Sequence, residues 1–248
     1  MRTPPVLEER RFVAGRRHTI AMQVHGFLRR EIIDARLLPR APLSEQDLST
    51  ELGVSRTPVR EALIKLADEG LVDIYPQFGT FVAPIKLREV YDSQFVREAI
   101  ECTAIERAVA LIEKPQAAAL QQILDTQRRH QKAGERDAFF EADERMHAYL
   151  LEIAEHATVW PLVQSAKSQM DRVRHLSIRS EVKLSSVLQE HSAIVDAVIR
   201  RDPKGALEAL RAHLQGLFRS IKALGEENKQ YFALDNEGPP PRVARAKK

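Results

Sequence analysis

The sequence is poor in cysteine, glycine and aromatic residues. Among 248 residues there are one cysteine, Cys102, ten glycines, and 6% Phe, Trp and Tyr. A single cysteine cannot form an internal disulfide or a thiolate zinc cluster. The scarcity of glycine and aromatic residues argues against all-β sandwiches and barrels. The chain also lacks an apolar run near the ~20 residues that a membrane span requires, so we expect no membrane partner.

Neither sign of charge dominates the chain. The 38 Lys and Arg residues and 35 Asp and Glu residues leave a net charge of +3. Bulk charge therefore identifies no nucleic-acid partner, which must be argued from the positions of particular arginines. The first residues do not resemble a signal peptide, and the lone cysteine suits a reducing compartment, so we expect a cytoplasmic protein.

The N-terminal third combines three short helical patterns with two β-prone runs. Helical periodicity begins at Ile20, and Ser44 and Ser55 open a second and a third helix. A short turn containing Gly53 separates these two helices, as in helix-turn-helix motifs. The β-prone runs flank a proline–glycine turn and predict a hairpin. The pattern therefore predicts a winged helix-turn-helix over residues 18–84.

Only helical patterns follow Lys86. Six amphipathic segments extend to about residue 224, and they are 87–112, 115–133, 136–155, 159–178, 181–200 and 203–224. We therefore predict a mainly α protein, with an N-terminal winged helix-turn-helix joined by a very short linker to an all-helical bundle of about six helices. The boundaries that we predict are a flexible arm at 1–17, the winged helix at 18–84, the helical domain at 86–232 and a disordered tail at 233–248.

Two arginines share one face of the predicted third helix. Arg56 and Arg60 are four residues apart, opposite the apolar stripe of that helix. Near the start of a recognition helix, arginine can bind guanine O6 and N7 in the major groove, or a phosphate. The pair could instead be a solvated charged face, bound to Glu51 or Glu61. We favour DNA contact because the pair lies on a complete three-helix-plus-wing unit.

Smaller residues around this pair are suited to the DNA backbone. Ser55 and Thr57 offer hydroxyls and helix-start amides to phosphate, and Gly79 at the wing tip would let the backbone approach the minor groove. Ser44 and Gln46, at the start of the second helix, complete the predicted DNA-binding set.

The sequence around these residues closely resembles the GntR family of bacterial transcription regulators, over about residues 20–84. The motifs that carry the resemblance are Leu-Ser-Glu-Gln-Asp-Leu at 43–48, Leu-Gly-Val-Ser-Arg-Thr-Pro-Val-Arg-Glu-Ala-Leu at 52–63 and Gly-Thr-Phe-Val at 79–82. The resemblance implies that Arg56 and Arg60 are the principal DNA contacts. Gln46 stands where the family often has a third arginine, which leaves the operator sequence open. The helical remainder resembles the FadR-like branch, whose FCD-type C-terminal domain binds small effectors and dimerises.

Four polar side chains are directed into the interior of the predicted bundle. Asp143 and His147 are four apart on an apolar stripe, and His191 and His213 face inward on two other helices. A buried carboxylate beside neutral imidazoles is costly unless a cation lies between them, and one divalent metal bound by all four would supply it. Taken singly, each histidine is more commonly a hydrogen-bonded core residue. Asp143 and His147 could also form a simple hydrogen-bonded pair.

The same four residues resemble the metal-binding set of FadR-like effector domains. Met146 departs from that pattern, since the family usually has an aromatic residue there. Zinc, nickel and manganese all accept imidazole and carboxylate, so the metal is not identified. Arg97 resembles the arginine that clamps an acidic effector in the family, although its i,i+4 spacing also permits a pair with Glu101. Arg172 and Arg174 are weaker candidates for the same role.

We therefore predict a homodimeric, sequence-specific transcription regulator. Its binding to a double-stranded, inverted-repeat operator would be controlled by a small organic acid, bound in the metal-containing helical domain. The alternative is a helical metal-dependent hydrolase with a DNA-binding appendage, because a metal with an open position could activate water. The sequence has no His-Glu-x-x-His motif, and Glu144 is angled about 100° away from Asp143 on an ideal helix. We therefore expect no enzyme activity.

Overall fold

A computed structural model describes residues 18–177 and 181–233. The predicted flexible arm at 1–17 lies outside these residues, as does all of the predicted tail except residue 233. The helices and strands are α1 (Ile20–Ile33), α2 (Glu45–Leu52), α3 (Arg56–Asp68), β1 (Val72–Tyr75), β2 (Gly79–Val82), α4 (Leu87–Leu111), α5 (Lys114–Ala133), α6 (Arg136–Ile153), α7 (Trp160–Ala166), α8 (Ser168–Ser177), α9 (Glu181–Ile199), α10 (Pro203–Gly216) and α11 (Phe218–Glu227).

The N-terminal unit consists of α1 to α3 and a two-stranded hairpin. The Ser44 hydroxyl accepts a hydrogen bond from the backbone N–H of Asp47 and caps α2, as predicted. Gly53 ends α2 with a φ of +65°, a left-handed conformation that glycine adopts without steric cost. Strands β1 and β2 pair antiparallel from Val72–Val82 to Tyr75–Gly79. The winged helix-turn-helix architecture is therefore confirmed.

A buried cluster holds this unit together. Its members come from all three helices, the loop before α2 and the hairpin, and the largest include Leu28, Ile32, Leu63, Leu66 and Leu71. Because α3 places its apolar residues in this cluster, the opposite face of α3 is left to solvent, and that face carries the two arginines.

The C-terminal unit is helical throughout the part of the chain that the structure describes. Helix α4 contacts α6, α7, α8, α9 and α10 and so forms the centre of the bundle. The mainly helical fold is confirmed, but two of the six predicted helices are interrupted, at Lys167 between α7 and α8 and at Leu217 between α10 and α11. The spacing of apolar residues along the sequence does not reveal a helix break of only one residue. None of the described helices is long and apolar enough to cross a bilayer.

Helix α8 joins the two units. Ser168 Oγ accepts a hydrogen bond from Arg29 Nη2 of α1 at 2.9 Å. Gln169 Nε2 donates to the carbonyl of Gly70, which follows α3, at 2.6 Å. The winged helix is thus bonded directly to one face of α8, and we refer to these contacts as the joint.

The end of the described chain strengthens the joint. The backbone N–H of Ile85 donates to the carbonyl of Tyr231 at 2.8 Å, and the N–H of Ala233 donates to the carbonyl of Ile85 at 2.9 Å. Ile85, Tyr231 and Phe232 belong to a small buried cluster with apolar residues of α8. The connection between the two units is therefore short and packed.

The start of α10 generates a stability prediction. Asp202 caps this helix, because its side chain accepts a hydrogen bond from the N–H of Gly205 at 2.9 Å, and Pro203 occupies the first turn. Substitution Asp202→Ala removes the cap and should lower the free energy of unfolding by about 1 kcal/mol. Urea denaturation measures this change, and Asp202→Asn, which can still cap, is the control. Equal losses in the two variants would exclude capping as the cause.

Candidate DNA interface and candidate metal centre

The two predicted DNA-binding arginines lie on an exposed surface. Arg56 is the first residue of α3 and Arg60 follows one turn later, and their side chains are 57% and 61% exposed. Ser55 is the N-cap residue of α3 and makes no side-chain capping hydrogen bond. Ser55 and Thr57 are also exposed. The start of α3 therefore presents its amides, two hydroxyls and two guanidinium groups to solvent, a combination suited to phosphates and base edges.

A groove separates this helix start from the wing. It has a volume of about 1160 Å³ and is lined by three of the other predicted DNA-binding positions, together with Arg56 and Arg60. The residues of the predicted set that line it are Ser44, Gln46, Arg56, Arg60 and Gly79. Gly79 has a φ of +132°, a backbone conformation that residues with a Cβ atom rarely adopt. The wing tip therefore requires glycine.

The ionic partner of both arginines is Glu45, the first residue of α2. Arg60 donates from Nε to Glu45 Oε1 at 2.8 Å and from Nη2 to Oε2 at 2.9 Å, while Arg56 Nη2 donates to Oε2 at 3.1 Å. The sequence suggested Glu51 or Glu61 as partners, whereas the hydrogen bonds described above reach Glu45 on another helix. Helical spacing points to partners on the same or adjacent turns and misses a contact between two helices.

The four predicted metal ligands converge within the helical unit. Asp143 and His147 project from α6, His191 from α9 and His213 from α10, and one ligand atom of each lies within 4.8 Å of the others. Asp143, His147 and His191 are fully buried, and the His213 side chain is 8% exposed. The four side chains are therefore close enough to share one ion.

Each imidazole has a polar partner at its outer nitrogen. His191 Nδ1 lies 2.6 Å from Gln127 Oε1. The amide of Gln127 is oriented by Ala142, whose carbonyl accepts from Nε2 of Gln127 at 3.1 Å. Since Gln127 presents its oxygen, Nδ1 of His191 carries the proton and Nε2 keeps its lone pair.

Two glutamates lie beside the outer nitrogens of the other histidines. His213 Nδ1 lies 2.9 Å from Glu190 Oε2, and His147 Nδ1 lies 2.6 Å from Glu101 Oε2. Carboxylates beside the outer nitrogen orient metal-binding histidines and make the inner nitrogen a better donor. The inner nitrogens of the three imidazoles are thus left for a cation between them.

The inner atoms of the cluster repel one another in the absence of a cation. Nε2 of His191 lies 3.4 Å from Nε2 of His213 and 3.2 Å from Oδ1 of Asp143. Within the described residues, Oδ1 of Asp143 and both ring nitrogens of His147 are buried without a hydrogen bond of acceptable geometry. Buried polar atoms without partners are rare, and facing lone pairs are unfavourable. The donor set fits a divalent cation.

The pKa values of the cluster favour the same interpretation. Burial lowers the pKa of His191, and burial together with the neighbouring histidines holds the pKa of His213 well below its usual range. Burial would raise the pKa of Asp143, but the Arg174 guanidinium beside it holds that pKa well below its ordinary value. These two imidazoles are therefore neutral and the carboxylate charged near neutral pH, the states in which they bind metal.

Arg174 was only a weaker candidate from the sequence, yet it contacts the cluster directly. Its Nη2 donates to Oδ2 of Asp143, and its Nη1 donates to Oε1 of Glu144 at 3.0 Å and to Oδ1 of Asp171 at 3.3 Å. Asp143 therefore has one oxygen on a buried guanidinium and its other oxygen directed to the histidines.

Arg97 forms the ion pair considered from the sequence and also faces a cavity. It is buried and donates from Nε to Glu101 Oε1 at 2.6 Å, which is the intrahelical pair given as the alternative. It also lines a cavity of about 360 Å³ beside the cluster. The polar residues around this cavity are Arg97, Arg174, Ser177, Lys183, Ser186, Glu190 and His213. A cavity with three basic side chains beside a candidate metal centre is suited to an acidic small molecule.

Sequence reasoning missed the residues that hold the histidines. Glu101 and Glu190 carried a weak signal, because Glu190 precedes His191 and Glu101 is four residues from Arg97. Gln127 carried none, since a single amide on an amphipathic helix is common. Its role depends on the packing of α5 against α6 and α9.

Comparison with known proteins agrees with this architecture. Residues 20–82 match the family described as bacterial regulatory proteins, gntR family, and residues 92–216 match the FCD domain. The HTH-type transcriptional repressor RspR of Escherichia coli K12 is 36% identical over 214 residues, which cover 86% of this chain and 94% of the repressor. An uncharacterized HTH-type transcriptional regulator in an unstable DNA locus of Streptomyces ambofaciens is 37% identical over 208 residues, covering 84% of this chain and 87% of that protein.

A solved structure shows the same fold. E. coli McbR/YncC superposes with a TM-score of 0.71 at 20% identity, covering 85% of this chain and 99% of that chain. The hydrolase considered as an alternative from the sequence finds no support among these families and relatives, which are regulators. The chain belongs to the GntR family and is a DNA-binding transcription regulator with a C-terminal FCD domain.

Proposed function

We propose that residues 18–84 bind a specific operator through the start of α3, with Arg56 and Arg60 as the principal contacts. The observation that carries this proposal is the exposure of both guanidinium groups at one helix start beside a wing groove. Ser55 and Thr57, together with Ser44, Gln46 and Gly79 in the groove, would contact the DNA backbone or adjacent bases. A regulator of this kind acts where the bacterial chromosome is, so we place it in the cytoplasm.

We further propose that residues 86–232 form an effector-binding and dimerisation domain. Two copies would place their recognition helices in successive major grooves of an inverted repeat, about 34–36 Å apart. Asp143, His147, His191 and His213 would hold a divalent cation (zinc, nickel or manganese). When bound, such an ion supplies positive charge and open coordination positions for a carboxylate.

The effector would be a small organic acid bound in the cavity beside His213. Arg97, Arg174 and Lys183 line this cavity and would attract a carboxylate. Arg174 already donates to Asp143, Glu144 and Asp171, so an incoming carboxylate competes for the same guanidinium. The acid would therefore alter the contacts of α8.

Helix α8 offers the route from this cavity to the DNA-binding unit. One face carries Arg174 and Met170 toward the cavity, while the opposite face carries Ser168 and Gln169 to the joint. A shift of α8 would change the position of each winged helix and hence the separation of the two recognition helices. The size of this effect is limited by the difference in effector affinity between the two arrangements.

The DNA contacts can be tested by Arg60→Ala. Loss of a guanidinium that binds a guanine edge should reduce affinity for the specific operator about tenfold or more. Gel shifts with the tightest duplex that the wild-type protein selects from a random library measure the effect. Lys65→Ala, which removes an exposed positive charge from the far end of α3, should change affinity less than about threefold. Equal effects of the two variants would contradict the assignment of Arg60.

The metal centre can be tested on protein purified without an affinity tag. Elemental analysis should find about one equivalent of a divalent transition metal per chain, and His147→Ala should lose it because one of four ligands is missing. His130→Ala, which alters a partly exposed histidine paired with Glu135, is the control and should retain the metal. Equally little metal in all three proteins would exclude the site.

The role of α8 can be tested with a panel of mono-, di- and tricarboxylic acids. An acid that binds the folded protein should raise its apparent melting temperature, and it should change operator affinity by roughly 5- to 100-fold. Gln169→Ala should retain the acid-induced thermal shift but lose most of the change in operator affinity. Gln121→Ala on α5 is the control. If Gln169→Ala keeps the whole acid-induced change in operator affinity, transmission through the contact between Gln169 and Gly70 is ruled out.

A further inference from the structure

Glu45 binds Arg56 and Arg60, the two exposed arginines at the start of α3, at the same time. Its carboxylate accepts two parallel hydrogen bonds from Arg60, at 2.8 and 2.9 Å, and one from Arg56 at 3.1 Å. The Glu45 side chain is 24% exposed, much less than either arginine. It lines the groove between the helix start and the wing. An acidic side chain on a surface that faces phosphates weakens DNA binding by repulsion. The presence of Glu45 there therefore requires an explanation.

The geometry leaves one edge of Arg60 available. A guanidinium has five N–H donors in a rigid planar fork. Glu45 takes the side edge, formed by Nε and one proton of Nη2. The end edge, formed by Nη1 and the other proton of Nη2, still has two parallel donors. Two parallel donors are what guanine O6 and N7 require.

A fixed guanidinium recognises a base better than a mobile one. An unrestrained arginine loses side-chain conformational freedom when it is held in a single geometry. The two hydrogen bonds to Glu45 hold the plane of Arg60 before DNA arrives, so part of this loss has already occurred. The same carboxylate cancels a positive charge that would otherwise bind any phosphate. Both effects increase the difference between specific and non-specific binding.

We propose that Glu45 is a positioning residue that determines specificity: it holds Arg60 and Arg56 with their outer edges directed to the bases. This inference rests on the proposed operator contact of Arg60 and extends it. Glu45 touches no base itself and acts through the two arginines. A purely inhibitory role, in which Glu45 only masks the arginines, predicts a different response to substitution.

The test compares two duplexes. One is the tightest duplex that the wild-type protein selects from a random library, and the other is a scrambled duplex of the same composition. Substitution Glu45→Gln should lower affinity for the selected duplex about tenfold, because the guanidinium of Arg60 loses the carboxylate that holds it. It should raise affinity for the scrambled duplex about threefold and steepen its salt dependence, because the chain gains net positive charge. Affinities that move in opposite directions cannot come from partial unfolding.

Asp47→Asn is the matched control. Asp47 is exposed on the first turn of α2, so this change removes the same charge from the same helix without touching Arg60. Binding of both duplexes should rise slightly and equally. If Glu45→Gln behaves like Asp47→Asn, or if it raises affinity for both duplexes equally, the proposal is wrong.

Two further variants test the geometry. Glu45→Asp keeps the charge but shortens the side chain by one methylene, so it should weaken binding to the selected duplex without strengthening binding to the scrambled one. In an Arg60→Ala background, Glu45→Gln should no longer weaken binding to the selected duplex, because the effect acts mainly through Arg60. An undiminished effect in that background would overturn the proposal. Failure of the wild-type protein to select any duplex would instead refute the proposed operator binding.

Discussion

The buried carboxylate of Asp143 organises the helical unit. Asp143 is fully buried, and a charge in that position is tolerated only if it is paired and hydrogen-bonded. Arg174 satisfies one oxygen, while the other faces the imidazoles of His147, His191 and His213. Arg174 in turn needs Glu144 and Asp171, so the charge balance of Asp143 extends along the interior to α8. Removing one member would leave several others uncompensated.

The position of α8 follows from this network. Its inner face is bound to α6 through Arg174, and its outer face is bound to the winged helix through Ser168 and Gln169. The interior charges and the DNA-binding unit are therefore connected by one rigid element of ten residues. Such an element transmits a displacement more effectively than a flexible linker, because packed helices move as units.

Arg56 and Arg60 show the same pairing of charge at the protein surface. Glu45 holds Arg56 and Arg60 in a defined geometry while they remain exposed. In the interior, pairing makes a charge tolerable, whereas on this surface it restricts the orientation of side chains that stay exposed to solvent. The same guanidinium–carboxylate contact therefore has a different effect in the interior and on the surface.

The sequence by itself determined the mainly helical fold, the winged helix and the inward direction of Asp143 and the three histidines. These features follow from local periodicity, capping residues and spacing, as at Ser44 and Asp202. Only the tertiary structure decided which side chains meet between helices. The partners Glu45, Gln127 and Arg174 come from other helices than the groups they bind, and spacing along one helix contains no information about its neighbours. Contacts across helices depend on how the helices pack, which is a property of the whole fold.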